Sequence, residues 1–342
     1  MIDTVKKLCS LFGPSGCEDE VRDYIRAQAE PYADEILQDA NGSLLVLRRG
    51  KKTLRQTVML AAHMDEVGVI VKSITDDGFL RFAFVGGVDR RVALGKKVYL
   101  GERRIPGVIG MKPIHLTTKE ERESVPKLES LYIDIGAADR QQAEQQVSCG
   151  DYGCFGGECT ALSGGLVRMK AIDDRVGCAI LLETLKRELP FDTWFAFTVQ
   201  EEVGCRGAFG ASFRLRPDIA LVIEGTTAAD APPAEGAQKL CVPGGGPVLP
   251  FMDGGAIYDR ELFRLLTATA EEKGIPWQTK TRIAGGTDAQ VIQRACGGCK
   301  VAAISAAVRY IHSPSSVGST KDFENMKALL DAFLEKLEEA YG

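Results

Sequence analysis

Residues 57–66 read TVMLAAHMDE. The run 57–62 is almost unbroken in apolar character, which predicts a strand buried on both faces, as in a parallel sheet covered by helices. It ends on His63. Side chains at i and i+2 of a strand share a face, so His63 and Asp65 point the same way. They do so at the strand's carboxyl end, where open α/β sheets take their ligands. Taken alone, a strand-end His and Asp facing solvent reads equally well.

Outward from this stretch, the pattern after residue 166 alternates. Helices are predicted at 175–188, 260–273, 287–295 and 320–341, and strands at 193–199, 219–223, 277–281 and 301–306. Asp259 is placed to cap the second helix, with Gly274 just past its end and Pro276 beyond. On the amino-terminal side, Val21, Tyr24 and Ile25 recur at helical spacing over 18–30, closed by Pro31, and 44–48 reads as a strand. Alternating strands and helices imply an α/β domain with a mainly parallel central sheet flanked by helices.

Residues 67–165 have another texture: short β runs punctuated by Gly, Asp and Pro, with one helix at 138–146. The organisation read from this is a catalytic domain of residues 1–66 and 166–342, with a small β-rich domain, 67–165, inserted in it.

The chain has 342 residues, 45% hydrophobic and 26% charged, with a net charge of -5. No block of Lys or Arg stands out, which argues against nucleic acid and anionic membrane as partners. Met1–Gly13 holds no long apolar run of the signal-peptide kind, so a cytoplasmic protein is expected. Most of the ten cysteines are then expected to be reduced. Cys296-Gly-Gly-Cys299 lacks a second Cys or His pair, so it is not read as a zinc site.

There are three histidines, His63, His115 and His312. His115, in MKPIHL (111–116), has no carboxylate near it in sequence and reads as structural or interfacial. Three acidic clusters fall at strand or helix ends. AIDDRVG (171–177) precedes an apolar helix, where its carboxylates suit a helix cap or a bridge between metal ions. TVQEEVG (198–204) follows an apolar strand; Glu201 and Glu202 read as an exposed acidic turn, or as a ligand beside a proton shuttle. IEGT (223–226) follows another, and RYIHSP (309–314) puts His312 after the last strand. Two His and several Asp and Glu at strand ends of one domain suit a divalent metal with N/O ligands.

The order HMDE, AIDDRVG, QEEVG, IEGT, RYIHSP resembles the M42 family of metallo-aminopeptidases, the tetrahedral aminopeptidases, some of which carry the names glutamyl aminopeptidase or endoglucanase. FGPSGCEDEVR (12–22), GVIGMKPIHL (107–116) and GGTDA (285–289) fit as well, so the resemblance spans nearly the whole chain. It implies a zinc-exopeptidase-like fold and two divalent ions per subunit, zinc or cobalt. Asp173 would bridge them, His63 and Glu224 would complete one site, and Glu202 and His312 the other. Glu201 would be the general base and Asp65 the residue that orients His63. Relatives of this kind often have a cis peptide between the paired aspartates, here Asp173–Asp174. The family also implies peptide substrates, a dimerising insert and a dodecamer built from dimers. One departure is visible: the family usually has Asp where this chain has Glu224, and Glu there accompanies carboxypeptidases and deacylases among distant relatives.

Three rival readings remain: a two-metal carboxypeptidase or deacylase, a glycoside hydrolase, and an inactive scaffold of the same fold. Paired carboxylates serve glycoside hydrolysis, but that chemistry leaves both histidines unexplained.

Overall fold

The computed structural model describes residues 1–342, the side chain of Ala237 apart. Its strands in chain order are β1 (Glu35–Gln38), β2 (Leu44–Arg48), β3 (Val58–His63), β4 (Gly68–Ile74), β5 (Leu80–Val85), β6 (Lys97–Leu100), β7 (Ile105–Met111), β8 (Leu131–Asp134), β9 (Tyr152–Phe155), β10 (Thr160–Ala161), β11 (Leu166–Met169), β12 (Thr193–Thr198), β13 (Ile219–Thr227), β14 (Lys300–Val308) and β15 (Ser316–Ser319).

The main sheet has the order β1-β2-β12-β3-β13-β14. β12, β3, β13 and β14 run parallel, and β2 and β1 extend the sheet in antiparallel fashion. All of β3 is buried, and its side chains alternate between two cores. Val58, Leu60 and Ala62 pack with the helices Ile172–Leu185 and Thr320–Tyr341. Met59 and Ala61 pack with Ala208 and Ala211 of the helix Arg206–Leu215 and with Ala289 and Ile292. Helices therefore cover both faces, and the unbroken apolar run of β3 is the direct consequence. Each fully buried Leu or Phe contributes roughly 1.5–3 kcal/mol, which anchors the strand ends that follow.

β4, β5, β8, β7, β6 and β9 close into a barrel. Its interior is filled by Val69, Val71, Leu80, Phe82, Val98, Leu100, Ile109 and Ile133. Closure leaves no strand edge unpaired. A third sheet, β10-β11-β15, lies beyond it in sequence. Among the described residues no helix is long and apolar enough to cross a membrane.

Two expected elements differ. Residues 277–281 form no strand; Gln278 makes only an isolated bridge to Val248, which also bridges Ser305 of β14. The helix expected at 287–295 shortens to Ala289–Ile292, with Cys296 at positive φ and Gly298 following. The helix Arg206–Leu215, unmarked in the periodicity, carries Gly207 and Gly210, which lower helix propensity. Gly207 is required there, since an added Cβ would lie 2.5 Å from the Val199 backbone.

Candidate metal centre

The four parallel strands deliver their next residues to one end of the sheet. His63 is the last residue of β3, and Glu224 lies near the end of β13. Glu201 and Glu202 follow β12, and His312 follows β14. The adjacency of these strands converges residues that are distant along the chain.

At the helix Ile172–Leu185 the acidic pair divides its work. Asp173 and Asp174 have non-helical backbone angles, and the peptide bond between them is cis. Asp174 accepts the backbone N–H of Gly177 at 3.0 Å and that of His63 at 3.3 Å, so it caps the helix and ties it to β3. Asp173 instead faces the cleft. Gly225 makes room for it: a Cβ there would stand 2.8 Å from that of Asp173.

Asp173 lies between the two histidines. Its Oδ1 is 3.3 Å from His63 Nε2, and its Oδ2 is 3.7 Å from His312 Nε2. Glu224 Oε1 approaches His63 Nε2 at 3.2 Å, and Glu202 Oε2 approaches His312 Nε2 at 3.2 Å. The longer side chain at 224 thus still reaches the His63 pole. The other nitrogen of each ring is engaged elsewhere. His63 Nδ1 meets Asp65 O at 3.1 Å, and His312 Nδ1 meets the carbonyl of Gly87 at 2.8 Å. When each Nδ1–H donates to its oxygen, each Nε2 is left as a lone-pair ligand.

Asp65 is fully buried. It accepts the backbone N–H of Glu201 at 3.0 Å, that of Glu202 at 3.1 Å and the hydroxyl of Ser15 at 2.6 Å. One carboxylate therefore fixes the Glu pair. Behind it, Glu66 pairs with the buried cations Lys170 and Arg175, which also bind the carbonyls of Leu8, Leu11 and Gly13. His115 is exposed, in the segment between β7 and β8.

The electrostatics call for added positive charge. Among the described residues, no Lys or Arg pairs with Asp65, Asp173, Asp174, Glu201, Glu202, Glu224 or Asp288; the ion-pair partners that these groups have are His63 and His312. Burial, then the surrounding carboxylates, pushes Glu201 and Glu224 well above the usual range and Glu202 up to about 7. Burial opposes charge on Asp173 too, yet the two imidazoles hold it well below that range. Burial lowers His312, but Asp173 and Glu202 outweigh it and bring the ring up to about 9.

These residues fit divalent cations. His63, Asp173 and Glu202, and also His63, Asp174 and Glu224, bring ligand atoms within 4.8 Å of one another. Both oxygens of Asp174 are already taken by backbone N–H groups, so Asp173 is the better donor. Oε2 of Glu224 is buried with no hydrogen-bond partner, and a buried carboxylate oxygen in that state wants a cation.

The sequence motifs did not reveal Ser15, Gly87 and Lys280 as part of this region. Lys280 is buried; its Nζ donates to Thr226 Oγ1 and to the Ala284 carbonyl, both at 3.1 Å. Thr226 is two residues past Glu224 on the same strand. Ser15 lies within the FGPSG motif, which carried a signal but no role; Lys280 lies shortly before GGTDA, and Gly87 has no such motif beside it.

Comparison with known proteins identifies the family. A sequence model of the M42 glutamyl aminopeptidase family matches residues 42–329. The chain is 39% identical to a provisionally titled aminopeptidase of Acetivibrio thermocellus, over 96% of this chain and 97% of that one. It is 32% identical to the glutamyl aminopeptidase of Lactococcus lactis, covering 98% and 96%. Among solved structures, TET1 peptidase of Pyrococcus horikoshii, described as assembling into a tetrahedron or a large octahedral shell, superposes with a TM-score of 0.86 at 34% identity, covering 97% and 98%. A dodecameric PhTET1-12s structure gives 0.85 at 35%, covering 98% of each.

Proposed function

The chain belongs to the M42 family of peptidases, and from that premise we propose that this aminopeptidase works with two divalent ions held by His63, Asp173, Glu202, Glu224 and His312, with Glu201 as its general base. The observation that carries the reading is Asp173, whose two oxygens face the Nε2 atoms of His63 and His312. His63 and Glu224 would hold one ion, Glu202 and His312 the other, and Asp173 would serve both. Zinc and cobalt both suit this N/O donor set. When bound, such a pair lowers the pKa of a water and polarises the scissile carbonyl.

The chain's own residues supply the rest. Glu201 takes a proton from the attacking water onto its carboxylate and gives it to the departing amine nitrogen. Hydroxide adds to the carbonyl carbon, the C–N bond breaks, and the proton balance closes on Glu201. Asp65 fixes the backbone of Glu201, so the base approaches from one direction. A peptide's free α-ammonium is drawn to a cleft whose seven carboxyls meet no Lys or Arg among the described residues, and this favours cutting at the amino end.

Chelation followed by return of zinc, cobalt or manganese singly tests the reading. A panel of free aminoacyl chromogenic substrates should regain turnover, and N-blocked peptides should stay intact. Chelator-insensitive turnover, or cleavage of blocked peptides as a carboxypeptidase or deacylase would give, removes it.

Two broader features belong to the same proposal. The domain division is 1–66 with 166–342 for catalysis, and 67–165 as a dimerising insert that contains the barrel. The assembly is a homo-oligomer, a dodecamer built from dimers, in line with the assemblies described for the TET relatives. All ten cysteines are free, which suits a cytoplasmic enzyme.

A further inference from the structure

Beside Glu201 lies a group of ligand-type atoms that the two-ion site leaves unused. Glu201, Cys205 and Asp288 bring a carboxylate oxygen, a thiol sulfur and a second carboxylate oxygen within 4.8 Å of one another. Cys205 and Asp288 are each 1% exposed. The turn after β12, with Gly204 and Cys205 both at positive φ, returns the thiol to Glu201, leaving Sγ 3.5 Å from Glu201 Oε1. Gln290 Nε2 donates to that sulfur at 3.1 Å, but burial and then the Asp288 and Glu201 charges push the thiol well up, so it is held as a thiol until a cation takes its proton's place. Asp288 Oδ2 accepts from Thr198 Oγ1 at 2.5 Å. Its Oδ1 is buried with no hydrogen-bond partner, an arrangement that protein interiors avoid unless something binds.

We propose that Glu201, Cys205 and Asp288 form a third, inhibitory site for one borderline-soft divalent cation, zinc above all; the inference rests on the two-ion aminopeptidase reading. A thiolate and two carboxylates are ordinary zinc ligands at about 2.3 Å and 2.0–2.2 Å. Around such an ion, tetrahedral ligands stand roughly 3.3–3.8 Å apart, a contraction that partly exposed Glu201 can supply. Binding forms an Sγ–metal bond and releases the thiol proton to solvent; no electron moves. With its lone pair on a cation, Glu201 cannot accept the proton from the attacking water. Excess metal then silences the enzyme without displacing the catalytic pair.

The test titrates Co²⁺ into enzyme already carrying two ions per subunit, following bound metal, near-ultraviolet absorbance and turnover together. The two-ion ligands are all nitrogen and oxygen, so a thiolate-to-cobalt charge-transfer band reports a sulfur ligand. A third ion, that band and at least a tenfold fall in turnover should appear with one midpoint. In Cys205→Ser the band should vanish and the inhibition midpoint should rise at least tenfold. Asp288→Asn should weaken the third ion while keeping the band. No third ion at millimolar Co²⁺, a band that survives Cys205→Ser, or an unmoved inhibition midpoint overturns the proposal. Failure of the two-ion reading shows itself separately, as no turnover gained when metal-free enzyme is first loaded with two equivalents, and the sulfur band and its loss in Cys205→Ser still decide the third site.

Discussion

Asp65 Oδ1 accepts the backbone N–H of Glu201 at 3.0 Å, a bond that ties the end of β3 to the end of β12. The same carboxylate takes the Glu202 N–H, the Ser15 hydroxyl and the His63 side of the cleft. It therefore governs where the base and two of the proposed ligands stand. Replacement by Asn puts an N–H₂ against backbone N–H donors. Asp65→Asn should lower kcat by about 10–100-fold, the usual cost of losing such a supporting partner. Metal binding measured beside kcat checks it; wild-type turnover would remove Asp65 from the positioning role.

Glu201 is near the ligands of the two catalytic ions but is assigned to neither ion, so its removal separates proton transfer from the holding of that pair. Glu201→Gln keeps size and backbone and removes the base. Turnover should drop by about 10²–10⁴-fold while two ions per subunit stay bound. Loss of one ion would make Glu201 a ligand instead, and near-normal turnover would move the base elsewhere.

Lys280 is a buried cation with no carboxylate partner among the described residues, held by Thr226 and the Ala284 carbonyl. A substrate whose first residue carries an acidic side chain would complete it. A hydrogen bond to a charged group contributes about 1.5–3 kcal/mol, or roughly 10–100-fold in kcat/KM. Lys280→Met should therefore lower kcat/KM for a glutamyl substrate by that factor relative to a leucyl one. An unchanged ratio would place Lys280 outside the pocket that reads the first side chain.

How much of this was legible beforehand follows from locality. His63 with Asp65 and Glu201 with Glu202 were readable because each pair sits at the end of an apolar strand, where period and position are local facts. The shared use of Asp173 was an implication of family resemblance, not of spacing. The contacts of Gly87 and Ser15 were invisible, although Ser15 stands in the FGPSG motif: one offers a carbonyl from beyond β5 and the other a hydroxyl from the first loop, and neither residue type announces a contact made across the fold. The strand expected at 277–281 failed for a related reason. Alternating residues mark a possible strand, but only a neighbouring strand with free backbone groups makes one.

Glu18 gives a stability prediction with a defined sign. It is 3% exposed and accepts the N–H groups of Gly16 and Gln200 at 2.8 and 3.1 Å. Burial first, then the nearby Asp65 charge, raises its carboxyl from 4.5 to about 7. The folded protein thus holds this proton over a range where the unfolded chain has released it. Stability from this group is full below pH ~4.5, falls as pH rises towards ~7, and is lost above. Glu18→Gln can keep the acceptor without the charge. The variant should match wild type near pH 4.5 and exceed it at pH 8, by up to about 3 kcal/mol at ~1.4 kcal/mol per unit. Denaturant unfolding at the two pH values measures this, and an equal difference at both would show that the Glu18 charge is not what burial makes costly.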